Sequence, residues 1–313
     1  FTSGATESNN LALKGIAAAY GRRKKRIVVS SVEHPSVAET ASELEKNGFE
    51  VVRVSPGKDG IFSSSVFVNA CDENTFLISM MLVNNETGYI LPVKEAFAAV
   101  KRRFPEIITH CDCVQGFMKI PVKAKKLNAD MISLSGHKIY APKGIGALYG
   151  KKGVHIPPFM LGGGQEKGFR SGTESVPLIC GFGAAVKKLA PNVSENFEKA
   201  AQVQSYLIEK CEENGEIFVN SRKGGSPYVT SIAVKGLKSE VLLHYLEKRE
   251  IYVSSGSACS KGKKSSVLKE FKYPEQNLDS TIRISFSIHT TKEDIDALIE
   301  GIKAAQNDLC RIR

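Results

Sequence analysis

Ser135-Gly136-His137-Lys138 stands between two apolar runs, Ala129-Asp130-Met131-Ile132-Ser133-Leu134 before it and Gly144-Ile145-Gly146-Ala147-Leu148-Tyr149 after it. Both runs have the length and β-branched or aliphatic character of buried strands, so Lys138 sits where a strand emerges. A lysine after a strand is more commonly structural. One held among apolar strands is desolvated, which lowers its pKa and frees the amine as a Schiff-base nucleophile toward an aldehyde. Ser135 and His137 add hydrogen-bond donors beside it.

Working outward, strand and helix patterns alternate. A helix is predicted from about Ser8 to Tyr20, with Leu11, Ala12, Gly15, Ile16 and Ala19 on one face and Gly21 as its stop. Phe1-Thr2-Ser3-Gly4-Ala5-Thr6-Glu7 leads into it. Backbone N–H groups at such a helix start, with the Thr6 hydroxyl, suit a phosphate, although plain Ser/Thr capping fits the segment equally well. Strands follow at 26–30, 49–54, 76–83 and 107–112. His34 lies in a turn beyond the first of these, where it can stack on a planar group, move protons or simply shape the turn. Asn85 follows the third strand as a hydrogen-bonding group or a turn former. Asp112 ends the fourth.

This alternation predicts an α/β fold with a large, doubly wound, mainly parallel sheet, whose ligands gather at the carboxyl ends of the strands. Thr6, His34, Asn85, Asp112 and Lys138 all fall there. Pyridoxal 5'-phosphate requires a lysine for its aldehyde, a carboxylate for its pyridinium nitrogen and donors for its phosphate. Lys138, Asp112 and the group Thr6, Ser135 and His137 supply these types. The glycine-rich stretch Gly162-Gly163-Gly164-Gln165-Glu166 and Phe169-Arg170-Ser171-Gly172-Thr173 reads as a polar loop.

Beyond Pro191 the pattern changes to a long helix with Phe197, Ala200, Val203, Leu207 and Cys211 on one face, then short strands and helices. We place the large domain at residues 1–191 and a smaller C-terminal α+β domain at residues 192–313. Strands are predicted at 228–234, 251–254 and 280–286, and Thr291-Lys292-Glu293-Asp294 is a capping box. Cys259 lies in Ser254-Ser255-Gly256-Ser257-Ala258-Cys259-Ser260-Lys261-Gly262-Lys263-Lys264, where neighbouring positive charge favours the thiolate. Arg283 offers a bidentate partner for a carboxylate, or is an ordinary strand arginine.

Composition narrows the function classes. The 313 residues are 42% hydrophobic, enough to bury a large core. Apolar runs such as 76–83 are too short to span a bilayer and the N-terminus has no signal-like pattern, so a cytoplasmic enzyme without membrane attachment is expected. Seven cysteines with no Cys-x-x-Cys pair argue against a disulfide framework and against a bound metal. The net charge of +10 gathers partly at Arg22-Arg23-Lys24-Lys25-Arg26 and Lys261-Lys263-Lys264, but no aromatic-interleaved basic motif accompanies it, and direct nucleic-acid binding is not expected. The chain opens on Phe1 in a functional turn, which suggests an N-terminal truncation.

Five stretches in order resemble one family: Thr2-Ser3-Gly4-Ala5-Thr6-Glu7-Ser8, Asn84-Asn85-Glu86-Thr87-Gly88, Ser135-Gly136-His137-Lys138, Arg170-Ser171-Gly172-Thr173 and Ser254-Ser255-Gly256-Ser257-Ala258-Cys259. The chain resembles the pyridoxal-phosphate-dependent cysteine desulfurases, the NifS/IscS branch of the class V aminotransferases, lacking their N-terminal segment. The resemblance implies fold type I, the aspartate-aminotransferase-like architecture. It implies Lys138, Cys259 and His34 as catalytic residues, with Lys138 on the cofactor aldehyde and as base, His34 stacked on the ring and Cys259 receiving sulfur as a persulfide. Asp112 would pair with the pyridinium, Asn85 and Gln115 would contact the ring, and Ala5, Thr6, Ser135 and His137 would hold the phosphate. Thr173 would reach the phosphate of the other subunit of a homodimer. Arg283, with Asn85, would bind the carboxylate side of L-cysteine. A sulfur-acceptor protein, an iron-sulfur scaffold or a tRNA-thiolation enzyme, is implied as partner. The alternatives are a selenocysteine lyase, another class V enzyme, or a truncated non-catalytic sulfur-transfer partner. Ile288-His289-Thr290-Thr291 departs from the family pattern, as do Cys111 and Cys113 on either side of Asp112.

Overall fold

A computed structural model describes residues 1–121, 123–255 and 265–310. The chain forms two compact units: residues 1–57, 62–84 and 91–193 make the first, and residues 58–61, 85–90 and 194–313 the second. The second unit is thus assembled from three segments rather than one C-terminal run, and Asn85 belongs to it.

The first unit is built on six strands, β1 Arg26–Ser30, β2 Glu50–Val54, β3 Thr75–Met81, β4 Ile108–Asp112, β5 Met131–Ser135 and β6 Gly146–Gly150, in the order β2-β1-β3-β4-β5-β6. All neighbouring pairs are parallel except β5 with β6. The near-continuous burial of the inner strands β1, β3, β4 and β5 is what a sheet covered on both faces requires, and explains their unbroken apolar runs in the sequence. Helices α1 Ala5–Tyr20 and α2 Pro35–Lys46 pack Leu13, Ile16, Ala17, Val37 and Leu44 against Ile27, Val29, Leu77, Ile108 and Met131.

Two expectations change here. Helix α1 begins at Ala5, not Ser8, because Gly4 takes the N-cap position in extended backbone and Glu7 Oε2 accepts from both the backbone N and the Oγ of Ser3. Its buried face includes Ser8 and Asn9, while Ala19 is exposed. Polar burial at the start of α1 faces β4. At the other end of the sheet Gly146 allows the chain start to approach, with Thr2 and Gly146 exchanging hydrogen bonds of 3.0 and 2.8 Å. A Cβ there would lie 2.7 Å from the Gly4 backbone.

The second unit contains β7 Ile217–Val219, β8 Val229–Val234, β9 Ser254–Ser255 and β10 Thr281–Ser285, in the order β7-β8-β10-β9 and all antiparallel. The helices Val193–Asn214, Ser239–Glu247 and Lys292–Asp308 cover it around Leu207, Ile232, Leu242, Leu246, Ile282 and Ile302. Among the described residues the predicted strand at 251–254 is reduced to the two residues of β9, since of residues 251–255 only Ser254 and Ser255 pair with β10. The capping box is present, with Thr291 Oγ1 accepting from Asp294 N and Asp294 accepting from Thr291 N. Among the described residues no helix is long and apolar enough to cross a membrane.

Across the first sheet, His110 is wholly buried between Ser79 Oγ, 2.7 Å from Nδ1, and Ser133 Oγ, 2.9 Å from Nε2. Both ring nitrogens are satisfied without a charge, and burial holds the imidazole down at about 3. In the unfolded chain it protonates below about 6.5, so stability is lost as pH falls from there toward 3. Replacing His110 by Asn should flatten that acid limb by up to about 1.4 kcal/mol per pH unit. Urea midpoints measured across this range check it; parallel limbs for both proteins would refute the assignment.

Candidate active site

The carboxyl ends of the parallel strands of the first unit collect the candidates. Asp112 is the last residue of β4 and is 4% exposed. Its Oδ1 accepts from Val114 N at 2.9 Å and its Oδ2 from Asn9 Nδ2 at 2.8 Å, so the carboxylate is held from two directions. Burial raises its pKa, opposed by those two hydrogen bonds and by the charge of His34. His34 caps the N-terminus of α2, with Nδ1 accepting from Ser36 N at 3.1 Å and 2.8 Å from Ser36 Oγ. Its ring reaches the surface, yet the packing around it pushes its pKa down, with the Asp112 charge opposing and the Lys138 charge assisting. A neutral ring with Nδ1 as acceptor carries its proton on Nε2.

Lys138 lies just after β5 in the 3-10 turn Gly136–Ile139, which Tyr140 ends in left-handed backbone, φ 64°. It is half-buried, less enclosed than a lysine held among apolar strands is expected to be. Ser135 Oγ, buried, is 2.7 Å from His137 Nδ1. Burial lowers the His137 pKa, and the charges of Lys138, Lys143 and Lys119 lower it further. Three ammonium groups therefore act on the place where an anion was expected. Gln115, in the turn after Asp112, accepts from Lys119 Nζ at 3.2 Å.

Ala5 and Thr6 open α1, where the first N–H groups have no partner within the helix. Glu7 in the same turn is taken up by Arg170, whose Nε and Nη2 donate to its two oxygens at 2.8 and 3.3 Å. Burial pushes the Glu7 carboxyl up, but the Arg170 and Ser3 hydrogen bonds outweigh it and leave the pKa lowered. That pairing ties Arg170, and the exposed Thr173 three residues on, to the start of α1.

In the second unit Arg283, on β10, donates from Nη1 to the Asn85 carbonyl at 3.1 Å and from Nη2 to Ser254 Oγ at 3.1 Å. Its Nε is buried without a partner among the described residues. Ser255 pairs with Ile282 on β10, and Ser265 Oγ donates to Glu86 Oε2 at 2.6 Å while capping the helix Ser266–Glu270. Burial raises the Glu86 pKa against the Ser265 hydrogen bond and the Arg283 charge. Cys259 lies outside the described residues, but the residues on either side of that segment are anchored beside Arg283 and Glu86.

A model of the class-V aminotransferase family matches residues 1–298. The chain belongs to that family. It is 39% identical over 308 residues to the cysteine desulfurase IscS of Methanosarcina thermophila, covering 96% of this chain and 75% of that one. It is 38% identical over 314 residues to IscS of Vibrio vulnificus (strain CMCP6), covering 99% and 77%. Among solved structures, a NifS-like protein superposes with a TM-score of 0.92 at 34% identity, covering 98% of this chain and 82% of that one. SspA in complex with cysteine gives 0.79 at 34%, covering 93% and 81%. The family depends on pyridoxal phosphate, and fold type I is the architecture seen here. The first unit fits that group: a buried, oriented carboxylate, a neutral imidazole and a lysine stand within electrostatic range of one another, with a cationic field around Ser135 and His137.

Sequence reasoning overlooked Glu33, Asn9 and Ser36. Glu33 precedes His34 and is fully enclosed; its Oε1 accepts from Met81 N at 2.7 Å and from Ser30 Oγ, and Oε2 has no partner among the described residues. Burial lifts its pKa to about 8, with the Asp112 charge contributing and the Ser30 and Met81 hydrogen bonds opposing. The folded protein keeps this proton while the unfolded chain loses it above about 4.5, so stability falls as pH rises from there through 8. Glu33→Gln, which mimics the neutral acid, should remove that decline; denaturation midpoints between pH 5 and 8.5 test it, and an unchanged slope would contradict a protonated Glu33.

Proposed function

We infer that this chain is a pyridoxal-phosphate-dependent cysteine desulfurase that takes sulfur from L-cysteine, leaves L-alanine and carries the sulfur on Cys259. The observation that carries the reading is the cluster of Asp112, His34 and Lys138 at the strand ends, in a chain belonging to the class-V family and similar along most of its length to named desulfurases.

Lys138 would hold the cofactor aldehyde, Asp112 its ring nitrogen, and His34, Asn85 and Gln115 its ring. Ala5, Thr6, Ser135 and His137 would hold its phosphate. When bound, the group supplies an electron sink that weakens bonds around the substrate α-carbon. Arg283 holds the substrate carboxylate through its guanidinium, already fixed by Asn85 O and Ser254 Oγ. Lys138 Nζ moves the proton at the α-carbon. The Cys259 thiolate attacks the substrate sulfur: the carbon–sulfur bond breaks with its electron pair left on the carbon side, a sulfur–sulfur bond forms, and the carbon takes up a proton equivalent to the one lost from the substrate thiol to give alanine. The anchored residues 255 and 265 fix where the segment bearing Cys259 begins and ends. The persulfide then passes to a sulfur-acceptor protein, an iron-sulfur scaffold or a tRNA-thiolation enzyme.

Incubation with L-cysteine and pyridoxal phosphate should release alanine, and Cys259→Ser and Lys138→Ala should each lower the rate by at least about a hundredfold. Alanine formation that survives Cys259→Ser would remove the thiol from the reaction. No alanine from the parent chain, despite uptake of the cofactor, would reject the substrate.

A homodimer is part of the same reading. Tyr140, Phe159, Met160, Leu161, Phe169 and Val176 are exposed apolar side chains of the first unit, Leu161 at 86%, and Thr173 stands on the same loop. Sedimentation of the cofactor-loaded chain should give a dimer and Leu161→Asp a shift toward monomer. A monomeric parent would sink this part of the reading.

A further inference from the structure

Asn9 is the third residue after Thr6 on α1 and is completely buried. Its two amide hydrogens are both spent: Nδ2 lies 2.8 Å from Asp112 Oδ2 and 2.8 Å from Ser36 Oγ. Ser36 Oγ in turn lies 2.8 Å from His34 Nδ1. Asn9 Oδ1 has no partner among the described residues. The side chain therefore serves here as a donor alone, and turning the amide over would set oxygen lone pairs against the Asp112 carboxylate.

The geometry points to Asn9 as the positioning residue of the cofactor site, joining Asp112, His34 and the helix turn that bears Ala5 and Thr6 through one amide. This rests on the reading of the strand ends as a pyridoxal-phosphate site. Asn9 need not touch the cofactor. By donating to Asp112 it favours the ionised carboxylate against burial, and by donating to Ser36 it leaves the serine hydroxyl proton for His34 Nδ1, which keeps the imidazole proton on Nε2. Because α1 is rigid between residues 6 and 9, the same contact sets the separation between the proposed phosphate end and ring-nitrogen end of the site.

Two substitutions separate this role from packing. Asn9→Leu keeps much of the volume and removes both donors. Asn9→Asp keeps the shape, donates one proton at most, and when ionised sets a second carboxylate against Asp112. Apoprotein of the parent and each variant is titrated with pyridoxal phosphate between pH 6 and 9, with affinity read from the absorbance of the bound cofactor. Asn9→Leu should weaken binding about tenfold or more, as loss of a hydrogen bond to a charged group does. Asn9→Asp should weaken it increasingly as pH rises, an ionisation the parent profile lacks. Parental affinity and profile in both variants would overturn the role, and so would an equal, pH-independent loss in both, which marks packing alone. Should Asn9→Leu fail to fold, the Asn9→Asp profile decides. Failure of the parent to take up the cofactor would instead overturn the site reading itself.

Discussion

A carboxylate buried at the end of a strand constrains everything around it. Asp112 has almost no access to water, so its charge must be stabilised by what the fold places there: Val114 N from the turn beyond β4, Asn9 from α1 and the neighbouring His34. Each comes from a different element, and each must be in register. The parallel pairing of Met81 with Asp112 and of Asp112 with Ser133 fixes the height of the carboxylate in the sheet. Packing of α1 and α2 on the same face then brings Asn9 and His34 to that height. The sheet is the ruler against which the site is cut.

Around this point the fold tolerates charge of one sign only sparingly. Glu33, the next carboxyl inward, is kept protonated by its enclosure and by Asp112 itself, so the two acids do not both carry charge. His34 is held neutral by packing and by Lys138. The ammonium groups of Lys119, Lys138 and Lys143 act on His137 instead. Negative charge is thus concentrated at Asp112 and positive charge around Ser135 and His137, a polarity that matches a group with a cationic ring nitrogen at one end and a phosphate at the other.

Much of this was legible because strands covered on both faces read as continuous apolar runs, and residues placed just after such runs fall at strand ends. Reading the sequence that way puts Lys138, Asp112 and His34 beyond or at strand ends, where the fold has them. Asn9 and Ser36 were not, since their roles depend on which face of α1 and α2 meets β4, and an amphipathic pattern shows a polar residue on an apolar arc only as an irregularity. Glu33 was hidden for a related reason: a glutamate beside a histidine in a turn reads as exposed, and only the contact of its Oε1 with Met81 N reveals that the turn is covered. The start of α1 was misplaced because its cap is Gly4, with no side chain to signal it. Segments 58–61 and 85–90 joined the second unit through contacts such as Arg222 with the Asp59 carbonyl and Ser221 Oγ with the Thr87 carbonyl. Those contacts are distant in sequence and leave no local pattern.

The second unit follows a different logic. Its sheet is antiparallel, and among the described residues Arg283 hydrogen-bonds to a backbone carbonyl from residue 85 and a hydroxyl from residue 254 and not to an acid. A carboxylate partner would neutralise the guanidinium and compete with an anionic substrate; neutral acceptors orient it and leave its charge intact. Glu86 is an acid within electrostatic range of it, but burial opposes Glu86 ionisation and its hydrogen bond from Ser265 gives it a structural task. The same few residues therefore orient the Arg283 guanidinium and hold residues 255 and 265 on either side of the segment that contains Cys259. If Arg283 takes a substrate carboxylate and Cys259 its sulfur, as proposed, both roles rest on the supports at Ser254 and Glu86, so a change at either acts on both.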